Sequence, residues 1–269
     1  MAEHKEKGTI TIPLPNASKT QLLLTVLLIV ASFVIGSLWT KVQYLEKGGT
    51  LTKGATTANA QGAAQQAAVP QAIPTEDTSP QKVSVDDDPI MGDKNAPLTM
   101  IDFSDYECPF CKRYFDDTFS QIKKEYIDTG KVKYVYRDLP LSFHDPMATL
   151  EAVAANCARE QDDDATYFKY HDEIFARTKS NGNGLSKDDL STIASDLGLN
   201  LSSFQLCIDT ESNKEEVQKD LADATEVGAS GTPTFFIGKS SNDGVITGTK
   251  IVGAQPFSAF KAEIDNQLK

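Results

Sequence analysis

An uncharged stretch, Gln21–Trp39, limits what the first part of this chain can fold into. Its sequence is QLLLTVLLIVASFVIGSLW, and a helix of about 19 residues approaches the roughly 30 Å thickness of the hydrocarbon core of a bilayer. The apolar core of a cleaved signal peptide is shorter, about 7–15 residues, and ends at a small-residue site that the sequence after Trp39 lacks. We therefore predict one uncleaved transmembrane helix over residues 21–39, preceded by a short N-terminal segment over residues 1–20.

The composition changes after this stretch. Residues 48–81 are almost free of large apolar side chains, so they cannot bury enough surface to offset the entropy lost on folding. We predict a flexible linker over residues 40–82. The remainder, residues 83–269, holds all four cysteines and has the length of one ordinary domain.

The net charge of −12 argues against nucleic-acid binding, which needs clustered Lys and Arg.

Two strand patterns flank a helix pattern near the start of this domain. The apolar run Leu98–Asp105 predicts a buried strand, and Lys131–Asp138 predicts a second strand. Between them, Pro109 suits the first position of a helix and Gly130 suits its end. The sequence CPFC, Cys108–Cys111, is therefore predicted to lie where the first strand meets the helix.

The rest of the domain changes from helix patterns to strand patterns. From Asp145 to about Gly228 the spacing of apolar residues is helical throughout. Thr232–Gly238 and Val245–Gly253 then predict two strands, and Pro256 predicts the start of a last helix. We predict an α/β domain, in which a mixed sheet packs against helices and a helical subdomain is inserted over about residues 145–228.

The CPFC sequence has three possible uses. Zinc usually takes four Cys or His ligands, and the sequence offers neither a second CxxC nor an HxxxH pattern, so we predict no metal site. A structural disulfide within CPFC would close too small a loop to stabilise the fold much. The third possible use is redox chemistry, which the position of Cys108 at the start of a helix favours. Backbone N–H groups and the helix dipole stabilise a thiolate there. Cys111, one turn further in, would be more buried and would resolve a mixed disulfide.

Three stretches of the domain carry a resemblance to a known family: DDPIMGDKNAPLTMIDFSDYECPFC, EAVAANCAREQ and GTPTFFIG. Together they resemble the DsbA-like thiol-disulfide oxidoreductases, the extracytoplasmic branch of the thioredoxin fold. The resemblance covers residues 83–269 and implies a thioredoxin-like mixed sheet with an inserted helical subdomain. It also implies an enzyme that works through its cysteines, and we expect no cofactor.

The resemblance implies roles for individual residues around CPFC. Cys108 matches the catalytic nucleophile and Cys111 the resolving cysteine. Pro109 and Phe110 match the intervening pair, which helps to set the redox potential and lies at the bound substrate. Asp102 matches a buried acid that moves protons to and from the resolving sulfur, and an Asp solvated at the edge of the sheet is the alternative.

Further expectations concern residues near this site. Pro233 matches a proline that follows a cis peptide bond, and Thr232 matches the residue whose backbone pairs with an extended substrate; an ordinary proline at a strand start is the alternative. Asp105 and Glu107 are expected at the surface, where their charge would oppose thiolate formation slightly. His144 is expected in a loop or at a helix start, and an approach to the active site is the alternative.

Cys157 and Cys207 lie in two helix patterns of the insertion. The resemblance implies a structural disulfide between them, and two unpaired buried thiols are the alternative. The lysines on the two sides of residues 21–39 are nearly equal in number, so they do not determine which side of the membrane the C-terminal domain occupies. Such a disulfide favours an oxidising compartment, and this determines the orientation. We therefore expect a single-pass cell-membrane protein with residues 1–20 in the cytoplasm and the C-terminal domain on the extracytoplasmic side.

The predicted function is the oxidation of cysteine pairs in reduced or unfolded secreted proteins by a Cys108–Cys111 disulfide. A disulfide reductase or isomerase would use the same residues. A tethered peptide-binding or chaperone-like module, in which the cysteines are incidental, is the alternative from another class. The resemblance implies that a quinone-linked membrane protein, DsbB-like or VKOR-like, reoxidises the pair.

Overall fold

A computed structural model of the chain describes residues 79–269. Six strands form one sheet in the order β1-β6-β5-β3-β4-β2. These strands are β1 (Gln81–Ser84), β2 (Ile90–Met91), β3 (Leu98–Ser104), β4 (Val132–Asp138), β5 (Thr234–Lys239) and β6 (Val245–Val252). The neighbours β3 and β4 are parallel, and the other neighbouring pairs are antiparallel. The predicted mixed sheet is confirmed.

A long helix, α1, connects the two parallel strands. Its α-helical parts are Pro109–Tyr114 and Ser120–Ile122, and its π-helical parts are Phe115–Phe119 and Lys123–Ile127. Five helices follow between β4 and β5: α2 (Met147–Arg159), α3 (Asp164–Arg177), α4 (Lys187–Asp196), α5 (Leu201–Thr210) and α6 (Lys214–Glu226). The last helix is α7 (Phe257–Gln267). The helices between β4 and β5 fall within the predicted insertion.

The central strand β3 is buried along its whole length. A strand with neighbours on both edges and packing on both faces needs a nearly continuous apolar sequence. Met100 belongs to the core cluster that contains Cys111 of α1, whereas Ile101 and Phe103 belong to the cluster on the other face. Because side chains alternate along a strand, Asp102 lies on the same face as Met100, beneath α1.

The register of β3 and β5 brings two distant segments together. Phe103 pairs with Thr234, so the start of β5 lies beside the end of β3. The CPFC sequence follows β3, and Thr232 and Pro233 directly precede β5. Both segments therefore meet at one end of the sheet.

The N-terminal boundary of the domain differs from the prediction. Strand β1 begins at Gln81, inside the range 40–82 predicted as linker, and Gln81 pairs with Gly248 of β6. The pairing partner is far away in the sequence, so local composition carries no sign of it. The short strand β2 was not predicted for the same reason, since its partner is β4.

The predicted transmembrane helix lies outside the described residues. Within residues 79–269, no helix is both long and apolar enough to cross a bilayer. The N-terminal segment 1–20, the span 21–39 and most of the linker 40–82 also precede the part of the chain that the structure describes.

Candidate active site

The CPFC sequence lies where β3 gives way to α1. Cys108 is the N-cap residue of α1 and has an extended backbone, and Pro109 is the first residue of the helix, where its missing N–H costs no hydrogen bond. The N–H of Cys108 donates to the carbonyl oxygen of Asp105 at 3.0 Å, which closes the turn before the helix. Both CPFC cysteines are free thiols. Cys108 is 3% exposed and Cys111 is fully buried.

The surroundings of Cys108 favour its ionised form. A hydrogen bond from the Cys111 thiol has the largest effect and lowers the pKa of Cys108, while burial acts in the opposite direction. Thr232 and the backbone N–H groups of Cys111 and Phe110 lower the pKa further, to about 6. At neutral pH, Cys108 is therefore mostly a thiolate.

The surroundings of Cys111 favour its neutral form. Burial raises the pKa of Cys111 well above its ordinary value, and the hydrogen bond and charge of Cys108 raise it further. The negative charge of Asp102 acts in the same direction. The pair therefore combines one readily ionised sulfur at the helix start with one protonated sulfur inside the core, which is the asymmetry that thiol-disulfide exchange needs.

A segment of backbone lies against the sulfur of Cys108. The peptide bond between Thr232 and Pro233 is cis. The Cys108 sulfur lies 3.5 Å from the carbonyl oxygen of Thr232. Phe110 is 54% exposed, and the Arg113 guanidinium lies 5.0 Å from the centre of its ring. A backbone carbonyl from Thr232 and the exposed ring of Phe110 therefore both lie close to Cys108.

Asp102 lies in the middle of β3 and is 1% exposed. Since β4 and β5 flank β3, the alternative of a solvated edge position does not apply. Tyr134 of β4 donates a 2.6 Å hydrogen bond to Asp102 Oδ2. Burial has the largest effect and raises the pKa of Asp102. The Tyr134 hydrogen bond lowers this pKa and the charge of Cys108 raises it, and the net value is about 8. Asp102 can therefore take up or release a proton near neutral pH.

The expectation that Asp105 and Glu107 lie at the surface is wrong. Asp105 is 1% exposed and Glu107 is fully buried. Asp105 accepts hydrogen bonds from the N–H groups of Glu107 at 2.8 Å and Leu141 at 2.9 Å. Its Oδ2 also lies 2.7 Å from Nδ1 of His144, which is itself buried. Donors from a loop distant in sequence offset the cost of burying this carboxylate, and the residues around CPFC give no sign of them.

Glu107 connects the active-site turn to the helical insertion. Its carboxylate accepts from the Gly184 N–H at 3.1 and 3.2 Å and from the Thr178 hydroxyl at 3.4 Å. A side chain at position 184 would place its Cβ about 2.0 Å from Glu107 Oε1, so this position requires glycine. The N–H of Asn181 also donates to the Glu107 carbonyl oxygen at 2.7 Å.

Sequence reasoning missed a second acid beside Glu107. Glu151 of α2 is fully buried. Burial raises the pKa of Glu151 to about 10, and the charge of Glu107 and a hydrogen bond to it add to this effect. At neutral pH, Glu151 is therefore a neutral acid. The available signal was a glutamate directly before the apolar run Ala152–Ala155, where a solvated charge is not expected.

The other two cysteines form a disulfide within the helical insertion. Cys157 of α2 and Cys207 of α5 have an S–S distance of 1.99 Å and a Cα–Cα distance of 5.9 Å. The side-chain amide of Asn213 lies 3.4 Å from the Cys207 sulfur. This disulfide joins two helices, so its place in the fold is that of a structural crosslink.

Acidic side chains also form clusters elsewhere in residues 79–269. Two groups of carboxylates are close enough to share an ion: Asp86, Asp87 and Glu216, and Asp88, Glu216 and Asp220. In the second group, Nε of Arg137 lies 2.8 Å from Asp88 and 2.7 Å from Asp220. The arginine thus supplies positive charge to these buried carboxylates.

The sequence and fold of the described domain are similar to those of known proteins. A family model described as Thioredoxin matches residues 84–265. The chain belongs to the thioredoxin family. Disulfide bond formation protein D of Bacillus subtilis is 27% identical over 191 residues, which cover 69% of this chain and 79% of that protein. The chain spans only 26% of another relative, the Na(+)/H(+) antiporter NhaA 3 of Salinispora tropica, with 30% identity over 178 residues and 66% of this chain.

Solved structures refine this assignment. The oxidised BdbD from Bacillus subtilis has a TM-score of 0.62 and 25% identity, covering 72% of this chain and 99% of that chain. The α-DsbA1 of Wolbachia pipientis has a TM-score of 0.59 and 26% identity, covering 69% of this chain and 92% of that chain. Within the thioredoxin family, the chain is therefore a DsbA-like thiol-disulfide oxidoreductase.

Proposed function

We propose that this protein is a membrane-tethered enzyme that oxidises cysteine pairs in reduced or unfolded extracytoplasmic proteins. The observation that carries the proposal is the contrast within CPFC. The pKa of Cys108 is lowered to about 6, whereas burial raises that of Cys111. Ionisation of Cys108 stabilises the reduced pair, so the oxidised pair is a better acceptor of electrons from a substrate. This favours an oxidase over a reductase.

The reaction starts from the Cys108–Cys111 disulfide. A substrate thiolate attacks the Cys108 sulfur, a substrate–Cys108 bond forms, and Cys111 leaves with the electron pair of the broken bond. Asp102, in its protonated form, gives its proton to the Cys111 thiolate. A second substrate thiolate then attacks the substrate sulfur of the mixed disulfide, and Cys108 leaves as a thiolate. The substrate has lost two electrons and gained a disulfide, and the enzyme holds the dithiol.

Substrate binding would use backbone groups more than side chains. The carbonyl of Thr232, 3.5 Å from the Cys108 sulfur, can pair with an extended peptide of any sequence. Pro233 keeps this segment beside the sulfur, and Pro109 and exposed Phe110 border the same cysteine. These features support a broad range of unfolded substrates.

The proposed enzyme works at a membrane together with a redox partner. Residues 21–39 would anchor the protein as a single-pass cell-membrane protein, and residues 40–80, which precede β1, would tether the extracytoplasmic domain. The Cys157–Cys207 disulfide supports an oxidising compartment. A quinone-linked DsbB-like or VKOR-like membrane protein would accept the two electrons and restore the CPFC disulfide.

Oxidation of a reduced, unfolded test protein by the oxidised full-length protein tests the function. We expect one substrate disulfide per molecule of wild type and none for Cys108→Ala. Equilibration of CPFC with glutathione then tests the direction. A reduction potential less negative than about −200 mV supports an oxidase, and a value near the roughly −270 mV of thioredoxin would instead indicate a reductase. A wild type that binds unfolded protein without exchanging disulfides would indicate the chaperone-like module.

A further inference from the structure

A buried hydrogen bond joins the two parallel strands beneath α1. The hydroxyl of Tyr134 on β4 donates to Oδ2 of Asp102 on β3 at 2.6 Å, and both residues are 1% exposed. The register pairs Met100 with Tyr134 and Asp102 with Tyr136. The two side chains therefore project from one face of the sheet, the face against which Cys111 packs.

The two carboxylate oxygens of Asp102 have different surroundings. Oδ2 accepts the Tyr134 hydrogen bond, and Oδ1 is buried without a hydrogen-bond partner among residues 79–269. A buried carboxylate oxygen without a donor is costly when it carries charge. When Asp102 takes up a proton, Oδ1 is therefore the oxygen that receives it.

Asp102 is surrounded by several groups that can carry a proton. Those that interact with it electrostatically are Tyr134 of β4 and Cys108, Cys111 and Tyr114 of α1. On the other side, β5 places the apolar Phe235 opposite Asp102. Burial raises the pKa of Tyr134 well above its ordinary value, so its hydroxyl keeps its proton and stays a donor. In this group, which contains no Lys or Arg, the Tyr134 hydrogen bond favours the carboxylate form of Asp102.

We propose that Tyr134 is a positioning residue for proton exchange between Asp102 and Cys111: it holds Oδ2 and leaves Oδ1 to take and return the proton. This inference rests on the function proposed above. During reoxidation, the Cys111 thiol passes its proton to the Asp102 carboxylate as its sulfur attacks the mixed disulfide on Cys108. During substrate oxidation, the proton returns from Asp102 to Cys111.

The reaction of the reduced full-length protein with oxidised glutathione isolates this step. First, the Cys108 thiolate attacks the glutathione disulfide, forms a mixed disulfide and releases one glutathione. Then Cys111 attacks the Cys108 sulfur, releases the second glutathione and gives its proton to Asp102. Acid quenching followed by mass measurement gives the rate of each step. The second rate rises with pH as Asp102 ionises.

Tyr134→Phe should move the pH profile of the second step upward. Loss of a hydrogen bond to a charged acceptor raises the midpoint by about one to two pH units. At pH 7, the second step should slow about ten-fold or more because less carboxylate is available. The first step, which depends on Cys108, should keep its rate. In an Asp102→Asn background, which lacks the titrating group, adding Tyr134→Phe should change nothing further.

Tyr170→Phe is the matched control. Tyr170 is also a fully buried tyrosine, its hydroxyl donates at 2.8 Å to the Leu190 carbonyl oxygen, and it is not among the groups around Asp102. Its profile should coincide with that of the wild type. Tyr134→Met, whose flexible side chain fills the same apolar space, repeats the test if the phenylalanine variant does not fold.

The outcomes separate the two proposals. A folded Tyr134 variant with an unchanged profile, in a protein where Cys108→Ala abolishes the reaction, overturns the role of Tyr134 and leaves the proposed function standing. A shift that persists in the Asp102→Asn background also overturns the inference, because the effect then does not pass through Asp102. A wild type that neither reacts with oxidised glutathione nor oxidises the reduced test protein overturns the proposed function as well.

Discussion

Replacing Cys111 by alanine should raise the pKa of Cys108. The hydrogen bond from the Cys111 thiol is the largest cause of the value of about 6, and without it burial pushes the pKa toward the ordinary value of about 8.5 or above. At pH 7, a pKa of about 6 means roughly 90% thiolate, whereas a pKa of about 8.5 means roughly 3%. The thiolate population should therefore fall up to about thirty-fold.

The choice of assay matters, because a rate measurement would hide much of this effect. A thiolate becomes more nucleophilic as its pKa rises, with a Brønsted slope of about 0.4–0.5. A rise of about 2.5 units would thus increase the reactivity of each thiolate roughly ten-fold and offset most of the lost population. Ultraviolet absorbance of the thiolate against pH reports the population directly, so it is the measurement to use.

Cys111→Ser is the matched variant, because its hydroxyl can still donate a hydrogen bond to the Cys108 sulfur. We expect its titration midpoint to stay closer to the wild-type value than that of Cys111→Ala. A Cys111→Ala midpoint that remains near 6 would refute the reasoning, since the helix start alone would then account for the ionisation of Cys108.

Three further predictions concern the stability of the folded domain, each measured by urea unfolding. The folded pKa of Glu151 lies above its unfolded value of about 4.3, so the stability linked to its proton is complete below that pH and is lost as pH rises toward about 10. We therefore compare the free energy of unfolding of Glu151→Gln with that of the wild type at two pH values. The variant should gain up to about 3.5 kcal/mol over the wild type between pH 4 and pH 7. If the difference between variant and wild type is the same at both pH values, Glu151 is not neutral in the folded protein. Arg137→Met should cost about 3–5 kcal/mol, because the buried carboxylates of Asp88 and Asp220 lose their cation; a loss below about 1 kcal/mol would mean that these acids are already neutral. Replacing Cys157 and Cys207 together by alanine should cost up to about 4 kcal/mol for a sequence separation of 50 residues, while the pKa of Cys108 should stay near 6; a shifted titration would show that the disulfide also shapes the active site.

The position of CPFC is a property that the local sequence carries. An apolar run ends, a turn follows, and Pro109 begins a helix, so every signal lies within a few residues of Cys108. The apolar run of β5 and its preceding Thr-Pro are equally local. Such features depend on backbone preferences and on the period of apolar side chains, which short stretches display without their partners.

The burial of Asp105 and Glu107 beside CPFC was decided by the tertiary structure alone. Asp105 and Glu107 have the composition of a solvated turn, yet donors from Leu141 and Gly184 enclose them. Likewise, no spacing in the sequence indicates that Tyr134 would meet Asp102. The charge state of a buried group depends on lost water and on donors supplied by distant segments, and only the packed fold brings those segments together. The sequence by itself thus determined where the reactive sulfur lies and which helix begins there, whereas the fold decided which neighbouring acids keep their protons.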